Sequence, residues 1–383
     1  MKLRTIINIL FMVLASRGIE GGSGGAIDRC DAYNRPIMRP IPWTLHMAGR
    51  SLAVVLAVMY SNFLGCAGFL PPSEPVVIKR AQMHMGTFVR ITSVSADEAT
   101  AQAAVAAGFS EIHRLELLLS TWIPTSELSQ VNASAGVQPV RVSPETLTVV
   151  RRAIQVGEMT NGGFNVVIGP AVEAWSVTER QHIPTEAELK ALHALVDPHG
   201  LYADVWGRSI YLEKPGMRID VGGIGKGYAA DQAVDAMRKA GAIAGVVALS
   251  GDIKTFGRLP GGKAFPVGIQ HPRREGAVLA WIDLQDEAIS TAGDYERYFE
   301  RDGIRYHHIL DPETLQPARG CQSVTVVARE GVWADGLDTG IFVLGPERGM
   351  ALVEHLQDVE AIIVDQDGHM LVSSGLKDRI RLP

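Results

Sequence analysis

Cysteine is scarce in this chain, which has only three in 383 residues: Cys30, Cys66 and Cys321. No two of them form a C-x-x-C pair. Small disulfide-stapled domains and zinc clusters both depend on several closely spaced cysteines. Both kinds of scaffold are therefore excluded, and each cysteine needs an explanation of its own.

Long basic runs are also missing, since none exceeds the pairs Arg151-Arg152 and Arg273-Arg274, and the formal net charge is -6. Nucleic-acid binding requires a concentrated positive surface, so this class of function is excluded. The composition, 46% hydrophobic and 20% charged, indicates instead a globular chain with a well-buried core. It is not that of a disordered or fibrous protein.

The segment before Cys66 has the features of a secretory signal: Arg50, an apolar run over residues 51–60, and small residues before the cysteine. Its ending, Leu64-Gly65-Cys66, resembles a bacterial lipobox, in which the cysteine is lipidated and becomes the mature N-terminus. A membrane-spanning helix is the alternative, but the apolar run over residues 51–64 is shorter than the ~20 residues a span needs. We therefore expect a lipid anchor on Cys66, at the periplasmic face of the inner membrane.

A second apolar run over residues 5–15 precedes a Gly-rich stretch, so the chain has two candidate export signals in tandem. We expect translation to begin at Met38 or Met47, with a true N-terminal anchor as the alternative. Residues 1–66 are thus assigned to the signal segment and residues 67–75, rich in proline, to a tether. Residues 76–383 are predicted to form one domain.

The periodicity of residues 76–383 predicts a mixture of helices and strands. Helices are expected over residues 96–119, 144–160, 185–194, 228–240 and 346–356. Strands are expected over residues 87–92, 209–212, 244–256, 266–269, 277–284, 306–309, 324–328 and 361–364. Since strict β-α-β alternation is missing, the pattern predicts an α+β fold of two lobes with mainly antiparallel or mixed sheets.

A glycine-rich turn, Asp220-Val-Gly-Gly223-Ile-Gly225-Lys226-Gly227, is predicted to run from a short strand into a helix that Gly241 closes. Backbone N–H groups at such a turn approach an anion closely, and the helix N-terminus and Lys226 add positive charge. The spacing fits neither the Walker A nor the G-x-G-x-x-G pattern. The turn is therefore either a phosphate-binding cradle or a tight turn with an exposed lysine.

A second candidate is Asp335-Gly-Leu-Asp338-Thr339, ahead of an apolar run. On a helix these three side chains share one face and can present hard oxygen ligands, which Mg²⁺ prefers. The alternative is ordinary helix capping by the carboxylates.

A third candidate is His307-His308, followed by Asp311-Pro312. One histidine of such a pair can act as a base or a phosphate contact, and the Asp-Pro turn would fix its position. The alternative for both histidines is a structural role.

Taken together, these segments resemble the ApbE family of FAD:protein FMN transferases across residues 76–354. The resemblance rests on eight matches in family order, namely His84-Met85-Gly86-Thr87; Leu119-Ser120-Thr121-Trp122 with Ser126-Glu127-Leu128; Gly163-Phe164-Asn165 with Gly169-Pro170 and Trp175; the glycine-rich turn; Gly251-Asp252-Ile253; Ser290-Thr291-Ala292-Gly293; residues 308–312; and residues 335–339. The chain departs from the family pattern at Asn165, commonly aspartate, at Gly225, commonly alanine, and at Ser250, commonly glycine.

The resemblance implies an FAD site in a cleft between the two lobes and a bound Mg²⁺. The residues that match FAD-binding positions of the family are Met85, Trp122, Gly163, Phe164, Asn165, Asp220, Lys226 and Leu310. Those that match its metal positions are Asp335, Asp338, Thr339 and the backbone oxygen of Gly223.

The implied reaction is Mg²⁺-dependent transfer of FMN from FAD to a threonine or serine hydroxyl of an acceptor protein, such as a subunit of a membrane redox complex, with release of AMP. Lys226 would neutralise charge on the pyrophosphate, and His308 is the candidate base. Hydrolysis of FAD to FMN and AMP on the same site is one alternative. A flavin-binding protein without catalysis is another.

Overall fold

A computed structural model describes residues 74–383, which fall in one compact unit. The signal segment, Cys30, Cys66 and most of the tether lie outside the described residues. Among residues 74–383, no helix combines the length and the apolar content needed to cross a membrane.

Strands supply the framework of the molecule. In chain order they are β1 (Val76–His84), β2 (Thr87–Ser95), β3 (Val140–Arg141), β4 (Leu201–Asp204), β5 (Ser209–Leu212), β6 (Ala244–Leu249), β7 (Asp252–Phe256), β8 (Phe265–Gln270), β9 (Val278–Leu284), β10 (Ala288–Gly293), β11 (Tyr298–Arg301), β12 (Ile304–His307), β13 (Cys321–Ala328), β14 (Val359–Asp365), β15 (Met370–Val372) and β16 (Ile380–Arg381).

The central sheet has eight strands in the order β1-β2-β6-β7-β10-β13-β14-β15, and all neighbouring pairs run antiparallel. Three smaller antiparallel sheets have the orders β16-β9-β8, β3-β5-β4 and β11-β12. Strands β6, β7 and β13 are buried along their whole length. The centre of the large sheet is therefore covered on both faces.

Helices cover one face of the central sheet and extend beyond it. They are α1 (Glu98–Leu119), α2 (Glu127–Ala133), α3 (Pro144–Met159), α4 (Gly169–Trp175), α5 (Glu186–Leu192), α6 (Gly225–Lys239), α7 (Gly331–Leu344) and α8 (Pro346–Val353). Side chains from α1, α3, α6 and α7 join those of β2 and β13 in the main hydrophobic core. A second core lies between the central sheet and β8-β9-β16.

Local sequence signals explain where several helices begin and end. Asp97 caps α1 by accepting the Thr100 N–H at 2.8 Å, and Ser143 caps α3 in the same way at 3.2 Å. Beyond α3, Asn161 and Gly162 adopt positive φ angles of 48° and 84°, as a helix C-terminus favours. Along α1 the buried residues recur three or four positions apart, so that one stripe faces the core.

The predicted α+β class with antiparallel sheets is confirmed. The predicted strand over residues 244–256 is a hairpin of β6 and β7, turned at Ser250 with a φ of 58°. The expected strand before the glycine-rich turn is wrong, because residues 217–221 pair with no strand of the described chain. The extended chain there is held by Asn132, whose side chain bonds both the N–H and the C=O of Ile219.

Cys321 is the one cysteine among residues 74–383, and it lies in a strand. It is the first residue of β13, with 5% of its surface exposed, and is a free thiol among the described residues. Burial raises the pKa of this thiol to about 12, so it stays protonated and unreactive near neutral pH.

Candidate active site

Three carboxylates meet in the interior of the molecule. Asp252 stands at the start of β7, and Asp335 and Asp338 lie one turn apart on α7. Oxygen atoms of all three lie within 4.8 Å of one another, although each residue is at most 4% exposed. Carboxylates are almost never buried unless paired, so this cluster needs positive charge nearby.

Lys226 supplies part of that charge from the first turn of α6. Its ammonium forms an ion pair with Asp252 and lies 3.8 Å from Asp335 Oδ1. Burial alone would lower the pKa of Lys226, but the carboxylates of Asp252 and Asp335 outweigh burial and raise that pKa above its usual value. Lys226 therefore carries a permanent positive charge in the site.

One lysine does not balance three carboxylates. Burial, together with the like charge of Asp252, raises the pKa of Asp335, and burial with the charge of Asp335 raises that of Asp338. Raised acid pKa values mean that the cluster gains from taking up a proton or a further cation. The oxygen-only donor set suits a hard divalent cation such as Mg²⁺.

Hydroxyl groups complete the oxygen cluster. The Ser290 hydroxyl lies 2.6 Å from Asp338 Oδ2 and also within hydrogen-bond distance of Asp252, so it bridges the two carboxylates. Thr339 donates its hydroxyl proton to Asp338 Oδ1 at 3.1 Å. The structure thus brings together Asp335, Asp338 and Thr339, as the sequence predicted.

The glycine-rich turn lies directly against this cluster. A Cβ atom placed on Gly223 would sit 3.0 Å from Thr339 Oγ1 and 3.2 Å from Phe164 Cε2. At the next glycine of the turn, Gly225, a Cβ would sit 3.9 Å from Met85 Cε. The predicted metal position Gly223 and the predicted FAD positions Met85 and Phe164 therefore adjoin one another.

Helices α6 and α7 begin side by side and cap one another. Asp231 of α6 accepts the N–H groups of Gly331 and Val332 at 2.7 and 2.9 Å, at the start of α7. In return, Asp335 accepts the Gly227 N–H, at the start of α6, at 2.8 Å. Asp335 does not cap its own helix, which begins four residues earlier at Gly331, so the capping alternative is wrong there. It does cap the neighbouring helix α6.

The two adjacent histidines have different surroundings. His307 is buried at the end of β12, where its Nε2 lies 2.9 Å from the Ala318 carbonyl oxygen. His308 is half-buried, and its Nδ1 lies 3.2 Å from the Arg297 carbonyl oxygen. A proton on Nδ1 donated to that carbonyl leaves Nε2 as an acceptor. Beyond them, Asp311 closes the predicted turn by accepting the Glu313 N–H at 2.8 Å.

Electrostatics keep both imidazoles neutral. Burial lowers the pKa of His307 to about 4. Burial and the charge of Arg297 lower the pKa of His308 to about 3, and Lys226 acts in the same direction. At physiological pH His308 is therefore neutral, with one unprotonated ring nitrogen that can accept a hydrogen bond.

Several candidate FAD positions already have structural partners. Asn165 bridges two backbone groups, donating to the Val196 carbonyl at 2.7 Å and accepting the Val167 N–H at 2.9 Å. A Cβ on Gly163 would lie 2.7 Å from the Gly340 carbonyl oxygen, so close packing on α7 requires glycine there. Leu310 is buried in an apolar cluster with Trp175. Flavin contacts by these three residues stay predictions.

Two other candidates remain accessible. Trp122 is 76% exposed, just beyond the end of α1. Asp220 is half-buried and accepts the Gly222 N–H at 2.7 Å, which shapes the first bend of the glycine-rich turn. Burial raises the pKa of Asp220, whereas the Gly222 N–H and the charge of Arg297 oppose that rise.

Two residues of the cluster, Asp252 and Ser290, had no assigned role from the sequence. Both belong to segments that carry the family resemblance, and both are polar residues in buried strands. Asp252 follows the apolar strand β6 after a two-residue turn, and this position is a signal that could have identified it, because an aspartate is seldom buried without a partner.

Comparison with known proteins gives one consistent result. The ApbE family matches residues 85–363 of this chain. A protein of Vibrio cholerae named FAD:protein FMN transferase is 34% identical over 319 residues, which cover 81% of this chain and 93% of that protein. A protein of Klebsiella pneumoniae with the same name is 32% identical over 305 residues, covering 79% and 93% of the two chains.

Solved structures agree with the sequence comparison. The ApbE protein of Thermotoga maritima superposes with a TM-score of 0.74 at 29% identity, covering 80% of this chain and all of that one. The flavin transferase ApbE from Vibrio cholerae superposes with a TM-score of 0.71 at 31% identity, covering 80% and 99% of the two chains.

Proposed function

The chain belongs to the ApbE family, and from this premise we propose that it is an FAD:protein FMN transferase, which moves FMN from FAD to a target protein. The observation that carries the proposal is the buried set of Asp252, Asp335 and Asp338 beside Lys226, at the start of a helix whose glycine-rich turn can approach a phosphate. Such a site provides both the anion-binding turn and the cation-binding oxygens that a pyrophosphate substrate requires.

The acceptor is a threonine or serine hydroxyl of the target protein. Its oxygen forms a bond to the FMN-side phosphorus while the bond from that phosphorus to the bridging oxygen breaks, and AMP leaves with that oxygen. The hydroxyl proton passes to Nε2 of His308, which is free because Nδ1 faces the Arg297 carbonyl. The negative charge of bound pyrophosphate offsets the nearby cations, so that Nε2 becomes more basic when the substrate is in place.

Mg²⁺ fits the oxygen donors of this site. Asp335, Asp338, Thr339 and the Gly223 carbonyl would hold the ion, with Asp252 in the same cluster. When bound, Mg²⁺ supplies charge neutralisation at the pyrophosphate oxygens. Lys226 serves the same purpose from the protein side, and Asp252 holds its ammonium in position.

We assign the FAD to the approach to this cluster. Met85 and Phe164 adjoin the glycine-rich turn, and the exposed Trp122 offers a flat apolar surface on which an aromatic ring can stack. Gly163, Asn165, Asp220 and Leu310 complete the proposed FAD site.

We also propose that the protein is anchored by a lipid on Cys66 at the periplasmic face of the inner membrane. Its acceptor would then be a subunit of a membrane redox complex. The lipobox-like ending Leu64-Gly65-Cys66 supports this location. Cys66→Ser should move the protein from the membrane fraction to the soluble periplasm. Unchanged fractionation would contradict a lipid anchor at this residue.

A single assay tests the proposed reaction. The purified protein is incubated with FAD, Mg²⁺ and a threonine-containing acceptor domain, and flavin fluorescence on the denatured acceptor is measured. Covalent fluorescence supports the transferase, whereas FMN and AMP formed equally with or without the acceptor support the hydrolase. No turnover with FAD retained by the protein supports a carrier. Asp335→Ala should abolish the Mg²⁺-dependent transfer, and Asp367→Ala, which removes an exposed carboxylate, should not.

A further inference from the structure

A second group of side chains with metal-ligand atoms lies outside the carboxylate cluster. His84 ends β1, and His113 and Glu116 lie one turn apart near the end of α1. One ligand atom from each of the three lies within 4.8 Å of the other two. The group joins a strand to a helix, so it is formed by tertiary structure rather than by a local turn.

The distances match those around a tetrahedral transition-metal ion. Glu116 Oε2 lies 3.4 Å from His84 Nδ1 and 3.9 Å from His113 Nδ1. Ligand bonds of 2.0–2.2 Å in a tetrahedral zinc site place neighbouring ligand atoms about 3.4 Å apart. Small side-chain rotations would therefore bring all three atoms onto one ion.

The surroundings of His84 prepare it to act as a ligand. Its Nε2 lies 2.9 Å from Gln82 Oε1, and the amide oxygen accepts a proton from that nitrogen. A proton on Nε2 leaves Nδ1 with a free electron pair directed at the other two residues. Histidine ligands in metal sites are usually oriented by a hydrogen bond of this kind on the second ring nitrogen.

Glu116 has one oxygen available for the ion. Its Oε1 accepts the backbone N–H of Met85 at 2.6 Å, where the β1–β2 turn has a positive φ of 50°. Its Oε2 faces the two histidines. A bound ion would therefore tie the β1–β2 turn to α1 without displacing the hydrogen bond that holds Met85.

We propose that His84, His113 and Glu116 form a binding site for a divalent transition-metal ion of the zinc type. This site shares no ligand with the proposed Mg²⁺ cluster, and its two imidazole nitrogens favour zinc over magnesium. The His113 side chain is 58% exposed, which gives the ion access from solvent and leaves a fourth position for water.

The test is a zinc titration of the full chain by competition with a chromophoric chelator, in saturating Mg²⁺ so that the carboxylate cluster is filled. We expect one zinc ion that the His113→Ala variant binds at least about tenfold more weakly. His369→Ala is the matched control, because His369 is an exposed histidine in a different cluster, with Asp365 and Asp367, and its loss should leave this affinity unchanged.

Two further measurements distinguish the site from adventitious zinc binding. Zinc should raise the Tm of the wild-type chain but not that of His113→Ala, since only the folded state brings the ligands together. Glu116→Gln retains an acceptor for Met85 while removing the charge, and should also weaken zinc binding. Equal zinc affinity and an equal rise in Tm for the wild type and His113→Ala would overturn the proposal.

Discussion

Asp252 has a central place among the individual residues of the site. It pairs with Lys226, lies within hydrogen-bond distance of Ser290, and shares the buried cluster with the two carboxylates of α7. Its carboxylate thus connects β7 with α6, β10 and α7. A change of charge at this one position should disturb both the orientation of Lys226 and the affinity for a cation.

Asp252→Asn tests this role without changing the size of the side chain. We expect FMN transfer to fall at least about tenfold and the Mg²⁺ concentration for half-maximal activity to rise, as for groups that orient metal ligands. Activity is measured over a Mg²⁺ titration, with Asp283→Asn as control, because Asp283 is exposed and paired with Arg381. Wild-type activity with a wild-type Mg²⁺ dependence in Asp252→Asn would show that the carboxylate neither orients Lys226 nor contributes to cation binding.

At the scale of elements, the site depends on two helices that begin in contact. A Cβ atom on Gly227 would lie 2.1 Å from the Gly331 carbonyl oxygen and 2.7 Å from Asp335 Cβ. Only glycine permits this approach of α6 to α7. The contact also brings the glycine-rich turn to the carboxylate cluster. Helix packing and the proposed chemistry therefore both require glycine at position 227.

Gly227→Ala should therefore separate the two helices and lower the free energy of unfolding by about 1–3 kcal/mol, the usual cost of overpacking. Gly225→Ala is the matched control two residues earlier, where a Cβ would meet Val221 Cγ2 at an ordinary 3.5 Å. That variant should be neutral or more stable, since alanine favours helix over glycine by roughly 0.5–1 kcal/mol. Denaturant unfolding of both variants gives the comparison, and equal stabilities would contradict the steric argument.

The cap that Asp231 provides to α7 should depend on pH. Burial raises the pKa of Asp231 from an ordinary 3.8 to about 6, although two backbone N–H groups oppose the rise. The folded state therefore holds this proton more tightly than the unfolded state. The contribution of Asp231 to the free energy of unfolding is fully present below about pH 4 and is lost as the pH rises through about 6.

The effect of this titration appears when the free energies of unfolding of the wild type and Asp231→Asn are compared over a range of pH. From pH 4 to pH 6 the wild type should lose about 2 kcal/mol of unfolding free energy relative to the variant, which does not ionise at this position. Asp235→Asn on the exposed face of α6 serves as the control. Parallel stability curves for the wild type and Asp231→Asn would mean that Asp231 keeps an ordinary pKa.

At the scale of the whole molecule, all the candidate site residues except the lipidation site belong to residues 74–383. A chain that begins at Glu74 should therefore fold and transfer FMN to a soluble acceptor at the rate of the full chain. Covalent fluorescence on the acceptor and the Tm of the two chains are the measurements. A loss of transfer with an unchanged Tm would assign a catalytic contribution to residues 1–73.

Much of the fold could be predicted from local patterns. The helices at Glu98–Leu119 and Pro144–Met159 were predicted within two residues of their bounds, because each has a side-chain cap and a regular apolar stripe. The starts of α6 and α7 were not. Their capping carboxylates lie 108 and 100 residues away in the chain, so no local signal marks them.

The candidate site was predictable to a similar degree. Spacing on one helix face placed Asp335, Asp338 and Thr339 together, and a glycine-rich turn indicated a phosphate-binding cradle. Spacing did not reveal that Asp252 and Ser290 join them, because each comes from a different strand. The bond from Asn165 to the Val196 carbonyl was not predicted either, because the two residues lie 31 positions apart in the chain.

The sequence by itself determined the α+β class, the family and the chemical types of the site residues, because these follow from periodicity, composition and short motifs. Only the tertiary structure decided which carboxylates share one cluster, which lysine faces them and which helix each aspartate caps. The physical reason is that burial and charge act through space. Residues a hundred positions apart in the chain set one another's pKa values and positions once the central sheet brings α6 and α7 together.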